Sequence, residues 1–257
     1  MARIHPATCL TLVLSDVVGS PLDVIASGPT CGDRSTWQDA LEIVDRRQLS
    51  RDFPKPVLWH LDDGISGRLP DTPKPGDPLF ASACYHVVGD NRLLAAAAVE
   101  EARRRGYDSL LLTTWLEGEA REVGRFLASV AREILSSGAP VRRPGCVVLS
   151  GEPTVTVRGT GKGGRCQELA LAFARYAEGL EGVTLLAAGS DGSDGSTDAA
   201  GAIVDGGTCE RGRARRLDPD RHLEENDSYC YFRDLGEPFR LAPTDTNAND
   251  LVLLLVD

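Results

Sequence analysis

The sequence predicts an α/β fold, with a largely parallel or mixed sheet and flanking helices. Three observations carry that expectation. Apolar runs short enough for strands, at His86–Val88, Ser109–Thr113, Val147–Leu149 and Val183–Ala188, are separated by segments of helical periodicity. Those between Asn91 and Arg105 and between Glu119 and Ser136 put apolar residues at 3–4 spacing, as Val123, Leu127, Val130 and Ile134 do. Finally, a glycine loop, Gly159-Thr160-Gly161-Lys162-Gly163-Gly164, runs into a helical pattern that begins at Arg165 and sets Leu169, Phe173 and Tyr176 on one face.

In chain order, a strand is expected at Leu10–Leu14. Ser35 or Thr36 can cap a helix reaching about Arg47. From Arg51 to Pro78 proline and glycine dominate, which reads as a linker or long surface excursion and places a domain boundary near Asp77–Leu79. The two expected domains are residues 1–78 and 79–257. Asp90 or Asn91 caps the next helix and Gly106 stops it in the C′ position. After Leu149, alternation at Val155–Val157 suggests a further short strand. Residues Gly206–Arg221 read as loop or helix, and Leu251–Val256 as a closing strand.

The 257 residues are ample for one large or two modest cores, and 42% hydrophobic with 26% charged residues is ordinary for a soluble protein. A net charge of −10 argues against nucleic-acid or anionic-membrane binding, both of which need a basic face. No apolar run is long enough to span a bilayer. Seven cysteines without C-x-x-C spacing point to a reducing, cytoplasmic setting.

The chemistry gathers in the loops. A glycine loop at a helix N-terminus can present backbone N–H groups to an anion, most often phosphate, with Lys162 and Arg165 as cations; a flexible turn is the alternative. It is not a Walker A motif, since Gly163 stands where Ser or Thr should hold magnesium. Gly159, Gly161 and Gly164 do match G-x-G-x-x-G, but the fingerprint's ribose-binding acid would have to be Asp191, somewhat late, and the loop lies in the second half of the chain. Ser15 and Asp16 end the first strand, where α/β sheets place functional groups, and Ser27 follows; Asp16 is a base or metal ligand, or caps a turn. Asp191, Asp194 and Asp198 sit among glycines and hydroxyls, suited to a hard cation or a sugar-like substrate, or to a solvated turn. For Arg165 the structural alternative is an ion pair with Glu168, one helical turn on.

Together these loops resemble the class II glycerate kinases, which carry a MOFRL domain at their C-terminus. The runs that carry the resemblance are LVLSDVVGSPLDVIASGPT, SGEPTVTVRGTGKGGRCQELAL, GSDGSDGSTDAAGA, NDS and TNANDLVLLLV. Ser150 replaces one glycine of the family's SGGEPT, and Cys166 the asparagine of GGRNQE. The resemblance implies a MOFRL region at about 146–257 and ATP-dependent phosphorylation of glycerate to 2-phosphoglycerate, assisted by Mg²⁺. Arg165 and Asp16 would be catalytic. Gly159, Gly161, Lys162, Gly163 and Gly164 would bind phosphate, while Ser15, Ser27, Glu152, Asp191, Asp194, Asn247, Asn249 and Asp250 would meet substrate or metal. Members of the family are longer at the N-terminus, so residues 1–78 resemble the end of an incomplete first domain. Feeble turnover of the isolated chain is therefore expected, with a companion chain or homo-oligomer as partner. The alternatives are an NAD(P)H-dependent hydroxypyruvate reductase, a label some members bear, and a non-catalytic nucleotide-binding remnant.

Overall fold

Local rules place most elements. Strand β1 (Cys9–Leu14) leads, and Thr36 then opens helix α1 (Trp37–Arg46) with a reciprocal capping box: its hydroxyl accepts from the Asp39 N–H, and the Asp39 carboxylate accepts from the Thr36 N–H. The region expected to be a linker contains a second helix, α2 (Lys55–Ile65). Its prolines do not forbid it, because Pro56 sits in the first turn, where a missing N–H costs nothing. Gly64 lets α2 approach α1 closely; a Cβ there would fall 2.2 Å from the Trp37 ring. Strand β2 (Ala83–Gly89) pairs with β1 in a two-stranded sheet.

The structure, a computed structural model, describes all residues 1–257. It divides into one unit of Met1–Val13 with Pro21–His86 and a second of Leu14–Ser20 with Val87–Asp257. The division falls at His86/Val87, several residues beyond the expected boundary, and the segment carrying Asp16 packs with the second unit. No helix is long and apolar enough to cross a membrane, and all seven cysteines are free.

In the second unit, Asp90 caps α3 (Asn91–Arg104) by accepting from Leu93 N–H at 2.8 Å. Then follow β3 (Asp108–Leu116), α4 (Ala120–Ser137, closed by left-handed Gly138), β4 (Gly145–Gly151) and α5 (Arg165–Tyr176). The chain continues through β5 (Val183–Gly189), β6 (Gly201–Asp205), three short helices, α6 (Thr208–Ala214), α7 (Pro219–Glu224) and α8 (Ser228–Leu235), and the final strand β7 (Asp250–Val256). The strand expected at Val155–Val157 does not form. Only Thr154 bridges, to Glu119.

The sheet order is β3-β4-β7-β5-β6. It is mixed: β3 and β4 are parallel, while β7 slots antiparallel between β4 and β5, and β6 is antiparallel to β5. Burial on both faces explains the unbroken apolar run of β4. Val147 and Leu149 join the core under α4 and α5, and Cys146 and Val148 pack against α3. This arrangement brings the ends of β3 and β4, the start of α5 and the start of β7 to one edge of the sheet, where α/β proteins place their ligand sites.

Candidate functional site

That edge holds a cleft of about 1010 Å³. Its walls are the turn after β1 (Asp16–Val18), the turn after β3 (Glu117, Gly118), the segment after β4 (Glu152–Val155), the entry to α5 (Gly163–Arg165, Glu168) and Asn226. At its centre Arg165, the first residue of α5, is held by two carboxylates. Its Nε and Nη2 donate to Asp250 Oδ2 and Oδ1 at 2.5 and 3.0 Å, and Nη1 donates to Glu152 Oε1 at 2.7 Å. The Asp250 side chain is 3% exposed and the Arg165 side chain 33%, so the pair is sunk on the Asp250 side and open towards the cleft. Burial works to lower the Arg165 pKa, but the bonds and charge of Asp250, with Glu152, carry it well above the ordinary arginine value. Arg165 is therefore a fixed cation. Burial likewise pushes the Asp250 carboxyl above the usual carboxylate range, against the opposing pull of Arg165.

The Arg165–Glu168 pair, the structural alternative for Arg165, is absent. Glu168 turns inward, 2% exposed, where its Oε1 accepts from Arg121 Nη2 at 2.6 Å and its Oε2 from Asn226 Nδ2 at 2.9 Å. Glu168, Glu117 and Asn226 line the cleft without a sequence signal that singles them out, and Arg121 joins them through Glu168. The i,i+3 spacing of Arg165 and Glu168 suggests a local partner, whereas Asp250 and Glu152 lie 85 and 13 residues from Arg165, and Arg121 and Asn226 lie 47 and 58 residues from Glu168.

The glycine loop splits in two. Gly163 and Gly164 line the cleft, but Gly159, Gly161 and Lys162 do not. The amides away from the cleft are engaged: Arg158 and Gly159 N–H donate to Asn226 Oδ1, Gly161 N–H to Glu225 O, and Lys162 N–H to Asp227 Oδ1. A Cβ on Gly159 would fall 2.4 Å from Glu225 Cα, and one on Gly161 2.4 Å from Asp227 Cβ. These glycines allow a close approach to the chain's own Glu225–Asp227 segment. Lys162 points Nζ over the Tyr229 ring, 4.8 Å from its centroid, beside a second cavity of about 700 Å³.

The anion at the N-terminus of α5 is the protein's own. Asp194, 4% exposed, accepts from Cys166 N–H at 3.1 Å and from Gln167 N–H and Nε2 at 2.9 Å each. Asp194 thus caps the helix. Asp194→Ala should strand three buried donors and cost about 3–5 kcal/mol, a fall in Tm of roughly 6–20 °C. A thermal midpoint within a degree of the parent would show that the cap does not matter. Burial raises the Asp194 pKa, so its native form holds a proton more readily than the unfolded chain. Its contribution is accordingly greatest in acid and declines as pH rises through the native pKa.

The other expected residues scatter. Ser15 is fully buried and its hydroxyl bonds only within its turn, to Val17. Ser27 is exposed in the first unit, and Asp191 closes a turn by accepting from Ser193 N–H. Neither Ser27 nor Asp191 lines the cleft. Asn247 is exposed and braces Asn249, whose Nδ2 donates to Asp16 O at 2.5 Å and to Glu152 Oε2 at 3.2 Å.

No three His, Cys, Asp or Glu side chains converge into a ready metal cage. Magnesium commonly takes only one or two carboxylates, completing its shell with phosphate oxygens and water. Asp16 and Glu117 fit that mode, since both are exposed on the cleft wall with carboxylates that no protein group engages.

Residues 145–250 match the MOFRL family model, and residues 1–62 match a domain of unknown function, DUF4147. The chain is 40% identical to the D-glycerate 2-kinase of Thermotoga maritima, over 99% of the chain and 58% of that relative. It is 33% identical to the glycerate kinase of Macaca fascicularis, over 98% of the chain and 73% of that relative. The chain belongs to the MOFRL family of glycerate kinases. A crystal structure of glycerate kinase from Thermotoga maritima superimposes with a TM-score of 0.88, covering 100% of this chain and 59% of that one. The chain therefore spans somewhat more than half the length of the Thermotoga relative.

Both departures from the glycerate kinase motifs have a place in this geometry. Ser150, where the family has glycine, is fully buried and donates from Oγ to Asp250 O at 2.6 Å, fixing the residue that holds Arg165. The glycine kept beside it is needed, since a Cβ on Gly151 would fall 2.4 Å from Leu116 O. Cys166 is buried beneath Arg165, and burial raises its thiol pKa well above the ordinary value, so it acts as a small apolar filler.

Proposed function

We propose that the chain contributes the phosphoryl-transfer site of an ATP-dependent kinase that converts glycerate to 2-phosphoglycerate. The observation that carries this reading is Arg165: a permanent cation pinned at the sheet edge, with part of its guanidinium open to a cleft that Asp16 also lines. Phosphoryl transfer depends chiefly on positioning and on stabilising charge. Arg165 holds the anionic oxygens of the transferring group or of the glycerate carboxylate with its planar fork. Asp16 takes the proton of the attacking hydroxyl as its oxygen bonds to the γ-phosphorus and the bond to the β-phosphate oxygen breaks, releasing ADP. Bound Mg²⁺, held by Asp16 or Glu117 with the nucleotide phosphates, would neutralise charge that develops on them. The setting proposed is cytoplasmic, with small-molecule substrates and no nucleic acid.

The reductase alternative is not favoured, because Gly159 and Gly161 pack against Glu225 and Asp227 and the Gly159, Gly161 and Lys162 N–H groups donate to Asn226, Glu225 and Asp227. The test incubates the purified chain with ATP, Mg²⁺ and D-glycerate and follows products by phosphorus NMR, which separates 2- from 3-phosphoglycerate. A parallel arm with NADH and hydroxypyruvate reads the reductase. Formation of 2-phosphoglycerate supports the proposal. NADH oxidation without phosphorylated product, or silence in both arms, overturns it for this chain.

A further inference from the structure

Three features single out Asn249. It is 2% exposed, its backbone is left-handed (φ 61°), and its Oδ1 is buried without a hydrogen-bond donor. A buried polar atom without a partner, on a side chain held in place by a left-handed backbone, points to a role beyond packing. Its backbone is tied on both sides: the N–H donates to Asn247 Oδ1 at 3.1 Å, and the carbonyl accepts from Ser190 N–H at 3.1 Å. From that platform Nδ2 reaches Asp16 O at 2.5 Å and Glu152 Oε2 at 3.2 Å. Both neighbours are acceptors, so only the amide nitrogen can face them. One NH₂ group thus bridges the turn that carries Asp16 and the carboxylate that grips Arg165.

We propose that Asn249 is a positioning residue that fastens the Asp16 turn to the Glu152–Arg165 pair, so that base and cation keep a fixed separation across the cleft. The catalytic consequence rests on the kinase reading above; the fastening itself does not. Segment Leu14–Ser20 belongs to the second unit while its flanks on both sides belong to the first, and the Asn249 bond to Asp16 O is one of the contacts that join it to that unit. Besides this bond, the segment is held by the β1–β2 pairing that ends at Leu14, the Ser15 N–H to Gly89 O at 2.9 Å, a 3.3 Å contact from Ser20 Oγ to Asp90, and the Trp115 ring packed on Gly19.

Asn249→Gly separates the two roles the residue could have. Glycine accepts the left-handed backbone at no steric cost, so a purely conformational role would be rescued completely. Loss of the tether should instead speed amide hydrogen exchange in residues 14–20 by about tenfold, with the sheet unchanged. It should also lower kcat for glycerate by about tenfold or more, with little change in KM for ATP. Asn249→Asp, of nearly the same size, puts a carboxylate against two acceptors and should reproduce both effects; it serves if the glycine variant does not fold. Unchanged exchange in residues 14–20 overturns the fastening whatever the activity. Faster exchange with parental kcat overturns the positioning role. Were the parent chain to phosphorylate no glycerate, the exchange arm would still decide the fastening, and the failure would fall on the kinase reading alone.

Discussion

Arg165→Lys should lower kcat by roughly a hundredfold or more at saturating ATP and glycerate, the scale on which arginine contacts to a transferring phosphoryl group act. Lysine keeps the charge and loses the fork. Arg165 now makes three charge-assisted bonds, two to Asp250 and one to Glu152, while its outer face stays in the cleft. A single ammonium cannot hold both oxygens of Asp250 in parallel and also face a ligand. The variant should therefore also lose about 1.5–3 kcal/mol of stability, the worth of one hydrogen bond to a charged group. Arg165→Met, which leaves Asp250 buried without a partner, should lose about 3–5 kcal/mol. Turnover normalised to folded protein, beside a denaturant titration, separates the two effects. A lysine variant with reduced stability and parental kcat would confine Arg165 to holding β7 against β4.

How much of this was readable beforehand depended on whether the partner was near in sequence. The start of α5 at Arg165, the Thr36 cap of α1 and the Asp90 cap of α3 are local, and the structure has them where capping chemistry puts them. Helix α2 was hidden by its prolines, because composition over Arg51–Pro78 outweighed the position of Pro56 in a first turn. Strand β6 was hidden by brevity: it has only five residues, Gly201–Asp205, directly after the acidic glycine run. The site shows the same division. The glycine loop was read as a phosphate cradle because glycine reports close approach without saying what approaches. What approaches Gly159 and Gly161 is Glu225–Asp227, more than sixty residues downstream. Asp194 looked like a ligand for the same reason, its amide partners at Cys166 and Gln167 lying 28 and 27 residues upstream.

Asp16→Asn should reduce kcat by about 10²–10⁴, the usual contribution of a positioned base, while nucleotide affinity changes little. The structural alternative was that Asp16 caps its turn. In the folded chain the turn is held otherwise: Ser15 bonds Val17 through its side chain, and Asn249 Nδ2 holds the Asp16 carbonyl, not the carboxylate. The carboxylate is exposed at the cleft wall and engaged by no protein group, so nothing in the fold requires it. Asparagine is isosteric and leaves the carbonyl contact intact, which makes a loss of stability beyond about 0.5 kcal/mol unexpected. Activity and stability should therefore separate here, in contrast to Arg165, where both fall. If Asp16 holds Mg²⁺ instead of the proton, the loss in kcat should lessen as the magnesium concentration is raised; if it is the base, added magnesium should restore nothing. Near-parental kcat at ordinary magnesium would remove Asp16 from the chemistry and leave Glu117 as the remaining carboxylate of the cleft wall with no protein partner.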